Sequence, residues 1–208
     1  MKILIADDHA IVRHGLKQIL ADEFKRASFN EARNGQEVLD SVWKQNYDVV
    51  VLDITMPGRS GLEVLKEIKK AKPKLPVLVL SMHPEDQFAM RVLKSGASGY
   101  MTKESAPAEL VGAVKKIMAG GRHISTSVAE LMASYITMDS SRPPHEQLSN
   151  REFQVMRMIA SGKTVSEIAR MLSLSVRTIS TYRARILEKT GMKTNAELTH
   201  YAFQHSLV

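Results

Sequence analysis

The chain contains no cysteine, which rules out disulfides, zinc–thiolate centres and thiol catalysis. No apolar run approaches the roughly twenty residues of a membrane-spanning helix. The start, Met1-Lys2-Ile3-Leu4-Ile5-Ala6-Asp7-Asp8, reaches two acids before a signal-peptide apolar region can form, so the expected location is cytoplasmic. No internal repeat is present. The first apolar run leads into Asp7-Asp8-His9 and not into a glycine fingerprint, which argues against dinucleotide binding. Gly162-Lys163-Thr164 imitates the end of a phosphate-binding loop, but Arg157 stands where the first glycine belongs. The seven histidines show no metal-ligand spacing backed by neighbouring acids and are expected at the surface or in the core.

What is present fits two ordinary domains or one large one: 208 residues, 44% hydrophobic and 25% charged, enough apolar material for a packed interior. The net charge of +7 favours a polyanionic partner. From Glu146 onward there are nine Lys/Arg against five Asp/Glu, a net of +4. Residues 1–121 carry eighteen against fifteen, so the basic excess is denser at the carboxyl end.

Over the first 120 residues, short apolar runs alternate with helical patterns. Ile3–Ala6, Ser28–Ala32, Val49–Leu52, Val77–Leu80 and Gly99–Met101 read as strands. Helices are expected near 10–22, 35–45, 61–71, 85–94 and 107–119. Five βα units in succession imply a doubly wound parallel α/β sheet of order 2-1-3-4-5, with ligands at the carboxyl ends of its strands. Gly120-Gly121 closes the fifth helix. Residues 122–147, with Pro143-Pro144, read as a linker that could hold a short helix at 128–136. Beyond it no segment is strand-like. Three S/T-x-x-E capping boxes (Ser149/Glu152, Thr164/Glu167, Thr194/Glu197) and a Ser175 cap predict four helices near 150–161, 165–172, 176–190 and 195–205. The expected domains are therefore 1–121 and 148–208.

Asp7 and Asp8 end the first strand and Asp53 the third, and these strands are neighbours in that order. Three close carboxylates repel unless a cation shares the site, and a hard ion such as Mg²⁺ suits oxygen donors. Ser81 ends the fourth strand and Lys103 follows the fifth. A nucleophilic carboxylate, a metal, a hydroxyl and a lysine can together accept and hold a phosphoryl group. Any one of these residues alone is more often a cap or turn former; their convergence on one edge carries the reading.

Asp7-Asp8, Asp53 followed by Met56-Pro57-Gly58, Ser81, and Gly96-Ala97-Ser98-Gly99-Tyr100-Met101-Thr102-Lys103 resemble the receiver domain of two-component response regulators over about residues 1–120. The resemblance implies Asp53 as phosphoacceptor. It also implies Asp8, Asp53 and the Thr55 backbone carbonyl as Mg²⁺ ligands, with Asp7 acting mainly through water. Ser81 would bind a phosphoryl oxygen, Lys103 would pair with the phosphoryl charge, and Tyr100 would be the aromatic switch.

Near the other end, Thr164–Leu172, Ser173-Leu174-Ser175 and Val176–Leu187 read as helix, turn, helix. The second helix carries Arg177, Thr178, Ser180, Thr181, Tyr182, Arg183 and Arg185, dense in groups for phosphates and base edges. Leu148-Ser149-Asn150-Arg151-Glu152, Gly162-Lys163-Thr164, Glu167-Ile168-Ala169, Leu174-Ser175, Thr178-Ile179 and Ile186-Leu187-Glu188-Lys189 are similar to the LuxR-type helix-turn-helix of the NarL/FixJ family. That similarity implies Thr178, with nearby Arg177 and Lys189, at phosphates. Ser180, Thr181 and Ala184 would face the groove, flanked by Arg183 and Arg185. Family members often carry Lys or Arg at some groove positions, whereas Ser180 and Ala184 are small.

Together the resemblances imply a regulator, not an enzyme in the usual sense. A cognate sensor histidine kinase would phosphorylate it, and it would bind double-stranded promoter DNA as a homodimer when phosphorylated, without a membrane partner. The alternative is a DNA-binding regulator that works without phosphorylation. A haloacid-dehalogenase type of phosphatase would want an acid two residues after the nucleophile, where Thr55 stands.

Overall fold

The computed structural model describes residues 1–82, 85–137, 143–205 and 207–208; side chains of 85–87, 131 and 134–137 are outside the description. The part of the expected linker at 138–142 therefore lies outside the described residues. The chain divides into two compact units, 1–136 and 137–208.

The first unit alternates strand and helix: β1 Lys2–Ala6, α1 Ala10–Glu23, β2 Ser28–Ala32, α2 Gly35–Lys44, β3 Val49–Asp53, α3 Gly61–Ala71, β4 Val77–Ser81, α4 Glu85–Lys94, β5 Gly99–Thr102 and α5 Ala106–Met118. All strand pairings are parallel, and the order is β2-β1-β3-β4-β5, as the alternation predicts. β3 and β4 are buried at every position, which explains why they read as unbroken apolar runs: helices cover both faces. On one face Ile3, Ile5, Val49, Val51, Leu78 and Leu80 pack with Leu16 and Leu20 of α1 and Leu110, Val114 and Ile117 of α5.

Strand register sets up the carboxyl edge. Ala6 pairs with Leu52, Asp53 with Leu80, and Ser81 with Thr102. Asp7, Asp53, Ser81 and Lys103 are therefore the last or next residues of four adjacent strands. The ladder continues past the strand ends, since the Lys103 amide donates to the Ser81 carbonyl at 2.8 Å.

Gly120, at φ 84, closes α5. The expected linker then holds α6, Thr126–Thr137, which starts two residues before the predicted helix and ends one after it. Just before α6, His123 lies against β5, accepting from the Tyr100 amide at 3.1 Å and donating to the Ser98 carbonyl at 3.0 Å.

The second unit opens with a 3-10 turn at Pro144–Gln147, where the proline pair reads as linker in the sequence. Four helices follow: α7 Asn150–Ala160, α8 Val165–Met171, α9 Val176–Thr190 and α10 Asn195–Gln204. Both hydrogen bonds of the capping box form at Ser149/Glu152 and at Thr164/Glu167. At Thr194/Glu197 only half forms. Thr194 caps the Glu197 amide, but the Glu197 carboxylate takes the amide of Lys193, one residue earlier. The core holds Phe153, Val155, Met156, Ile168, Ile179, Ile186 and Leu198.

Candidate functional site

The sheet edge gathers the acids. Asp7 and Asp53 are buried, at 0% and 1% exposed, while Asp8 is partly open. Between the two buried carboxylates sits the Lys103 ammonium, with Nζ 2.6 Å from Asp7 Oδ2 and 2.8 Å from Asp53 Oδ2. The Thr55 amide donates to Asp53 Oδ1 at 2.9 Å, and the His9 amide donates to Asp7 Oδ1 at 2.8 Å. Ser81 is fully buried at the end of β4. Tyr100, in the middle of β5, is buried at 1% exposed, deeper than an ordinary half-buried strand aromatic.

Burial pushes the Asp53 carboxyl above its ordinary range, and the opposing bonds from Lys103 and the Thr55 amide do not fully offset it. Burial also acts against the Lys103 charge, but the hydrogen bonds and charges of Asp53 and Asp7 outweigh it and hold this ammonium above the ordinary lysine range. The pocket holds two buried carboxylates against one ammonium. An excess of buried negative charge is what a cation relieves.

The donors fit a hard divalent ion. Asp7, Asp8 and His9 present ligand atoms within 4.8 Å of one another. The buried Asp8 Oδ1 makes no hydrogen bond. Its neighbour is His9 Nδ1 at 3.0 Å, an ion-pair partner only if protonated. When the imidazole is neutral with its proton on Nε2, that oxygen has no donor, and an oxygen-seeking cation would satisfy it. His9 is exposed, as expected of a surface histidine, yet its ring also lies 3.3 Å from Asp7 Oδ1, beside the acids. The available signal was its position directly after Asp7-Asp8.

Two further residues shape the pocket without announcing themselves in the sequence. Arg13 is buried on α1, where its Nη1 donates to the Asp7 carbonyl at 2.8 Å and its Nε donates to Glu31 on β2 at 3.2 Å. It ties the acidic turn to the neighbouring strand. Gly61 opens α3 so close to β3 that an added Cβ would lie 2.4 Å from the Asp53 carbonyl and 2.6 Å from Ile54 Cα. Only glycine allows this approach.

In the second unit, α8 ends where Ser173 takes the left-handed conformation, φ 53, and the Leu174 amide donates to the Ala169 carbonyl at 2.8 Å. The chain then turns into α9, capped by Ser175. Ile179 and Ile186 are the buried residues of α9; Arg177, Ser180, Thr181, Ala184 and Arg185 are exposed, with Thr178 and Tyr182 half-buried. This helix presents most of the predicted contact residues on one open arc. Two of its basic residues are engaged by neighbouring helices. Arg183 Nε donates to Asn195 Oδ1 at 2.6 Å, and Lys189 Nζ lies 2.6 Å from the buried Glu152 carboxylate of α7. Burial raises the Glu152 carboxyl, but hydrogen bonds from Lys189 and Ser149 prevail and hold it below its ordinary range.

Known proteins give the same division. The family model described as response regulator receiver domain matches residues 3–115, and that of the bacterial regulatory proteins, luxR family, matches 146–202. The chain is 36% identical over 208 residues to the response regulator UvrY of Escherichia coli (strain K12), covering 100% of this chain and 95% of that protein. It is 36% identical over 213 residues to the response regulator GacA of Pseudomonas aeruginosa, covering 100% and 98%. A solved structure of RcsB from Salmonella enterica serovar Typhimurium, bound to promoter rprA in the presence of the phosphomimetic BeF3-, matches at a TM-score of 0.65 and 27% identity, covering 97% of this chain and 98% of that one. The chain belongs to the DNA-binding response regulators that join a receiver domain to a luxR-family helix-turn-helix. Among the described residues, no helix is long and apolar enough to cross a membrane.

Proposed function

We propose that Asp53 is the phosphoacceptor of a receiver domain at 1–121, and that its phosphorylation controls promoter binding by α9 of a DNA-binding domain at 148–208, through a connector at 122–147. The observation that carries this reading is the Lys103 ammonium held between the Asp7 and Asp53 carboxylates at the ends of adjacent strands. A buried nucleophilic carboxylate already faces the cation that a phosphoryl group needs.

In the proposed step an Asp53 carboxylate oxygen forms the new P–O bond as the P–N bond of a sensor kinase's phosphohistidine breaks. The electron pair stays on the imidazole nitrogen, which takes up a proton. Lys103 and Ser81 then hold phosphoryl oxygens, and Tyr100, buried on β5, is the aromatic switch residue that responds to Ser81. Asp8, Asp53 and the Thr55 carbonyl would hold Mg²⁺, with Asp7 acting through water; when bound, the ion neutralises charge on the phosphoryl oxygens. On α9, Thr178, Arg177 and Arg185 reach phosphates, while Ser180, Thr181 and Ala184 face the bases beside Tyr182. We assign Arg183 and Lys189 first to holding α9 in place, through Asn195 and Glu152, and only secondarily to phosphate contact. The protein acts in the cytoplasm and binds its promoter as a phosphorylated homodimer.

The test is labelling by acetyl phosphate with Mg²⁺, paired with selection of genomic DNA fragments with and without the donor. Asp53→Asn should abolish stoichiometric labelling; persistent labelling at another residue would overturn the assignment. Enrichment of an inverted repeat only with the donor supports the switch. Equal enrichment in both states favours the phosphorylation-independent alternative.

A further inference from the structure

The open arc of α9 carries methyl groups beside its hydrogen-bond donors. Val176 opens the helix at 51% exposed, and Ala184 is exposed two turns on. Thr181 is exposed as well, but its hydroxyl donates back to the Arg177 carbonyl at 3.0 Å. A threonine bonded to the carbonyl four residues earlier has its donor engaged within the helix. Its γ-methyl is then the free end of the side chain. At about 100° per residue, Val176, Ser180, Ala184, Arg177 and Thr181 span an arc of about 140°. Three of these five residues present methyl groups. Ser180 offers one hydroxyl, and Arg177 extends well beyond it.

The major groove has one apolar landmark, the thymine 5-methyl group, and small apolar side chains are its partners. The amino-terminal turns of a recognition helix are those that reach base edges. Val176, Ser180 and Thr181 occupy them here, whereas Glu188, exposed in the last turn, would repel phosphates. Isolated exposed apolar residues are ordinary. Three methyl-bearing residues on one exposed arc, with the threonine hydroxyl bonded within the helix, are a surface of defined chemistry.

We propose that Val176, Thr181 and Ala184 form a thymine-methyl reading face, so that this protein chooses its half-site by thymine methyl groups and uses Arg177 and Arg185 for anchoring. The inference rests on the reading that α9 enters the major groove, and it adds Val176 as a specificity-determining residue.

The experiment uses the full-length protein with acetyl phosphate and Mg²⁺. A motif is first selected from a randomised duplex library, and each thymine of that motif is then replaced by uracil, which deletes only the methyl. We expect uracil at one or two positions of each half-site to weaken binding about fourfold, the worth of one buried methyl group. That loss should vanish in Val176→Ala or in Thr181→Ser, which keeps the hydroxyl and removes the methyl. Uracil binding as tightly as thymine at every position overturns the inference. If Arg177→Ala and Arg185→Ala still weaken binding in that case, the placement of α9 stands. If those variants also bind as the unaltered protein does, or no motif emerges, the placement falls and the inference with it.

Discussion

The two units place their functional groups in opposite environments. In the first, Asp7, Asp53, Ser81 and Lys103 come from four adjacent strands and are nearly all withdrawn from solvent. In the second, Arg177, Ser180, Thr181, Ala184 and Arg185 lie on one helix, open to solvent. A pocket that receives a small group at a fixed position needs charges held in low dielectric, where pairing is strong and its loss is costly. A surface that meets a polyanion needs reach, and its charges act through counterion release more than through fixed geometry. Substitutions should therefore register as stability and metal dependence in the first unit, and as affinity and salt dependence in the second.

The strongest way to break this contrast is Lys103→Met. It leaves Asp7 and Asp53 facing each other without their shared cation, and breaking a buried pair in this way costs about 3 kcal/mol. Thermal unfolding in EDTA should show the loss, and added Mg²⁺ should recover a larger share of stability in the variant than in the unaltered protein. Equal stability in EDTA would mean that the pocket relaxes and takes in water.

Of intermediate size is Glu152→Gln, which removes the charge of a buried carboxylate paired with Lys189. Loss of the charge that pairs with Lys189 should destabilise that unit by about 2 kcal/mol at neutral pH, while the glutamine oxygen can still accept from the Ser149 amide. The pH dependence has a definite sign. The folded-state pKa of Glu152 lies below its unfolded value near 4.5, so its contribution is present above that value and lost as the pH falls through the lower one. Unfolding monitored from pH 7 down should therefore show the two proteins converging below about pH 4.5.

The smallest effect sharpens the comparison from the other side. Arg185→Ala should leave unfolding unchanged while reducing the slope of log affinity against log salt by about 1. Arg183→Ala, whose guanidinium holds Asn195 at the start of α10, should lower stability as well as affinity. Identical behaviour of the two variants would remove the distinction between an anchoring and a positioning arginine.

Much of this was legible in the residues. Val49–Leu52 and Val77–Leu80 read as strands covered on both faces, and the βα alternation then implied the order that places Asp7 beside Asp53. Capping chemistry was readable where the partners are three residues apart, as at Ser149/Glu152 and Thr164/Glu167. Even there Thr194/Glu197 departed from the pattern, because the carboxylate can choose between two adjacent amides. The acids of the pocket were readable from their places at strand ends. The choice of Arg13, His9 and Gly61 as their companions was not, since a buried arginine, an exposed histidine and a helix-opening glycine look ordinary in sequence.

By itself, then, the sequence determined the periodicities, the helix starts and the set of chemical groups at the sheet edge, because these depend on neighbours a few residues apart. Tertiary structure alone decided that Lys103 bridges two carboxylates 96 and 50 positions away, and that Lys189 is bound to Glu152. Both depend on distances across the packed chain that local pattern does not encode.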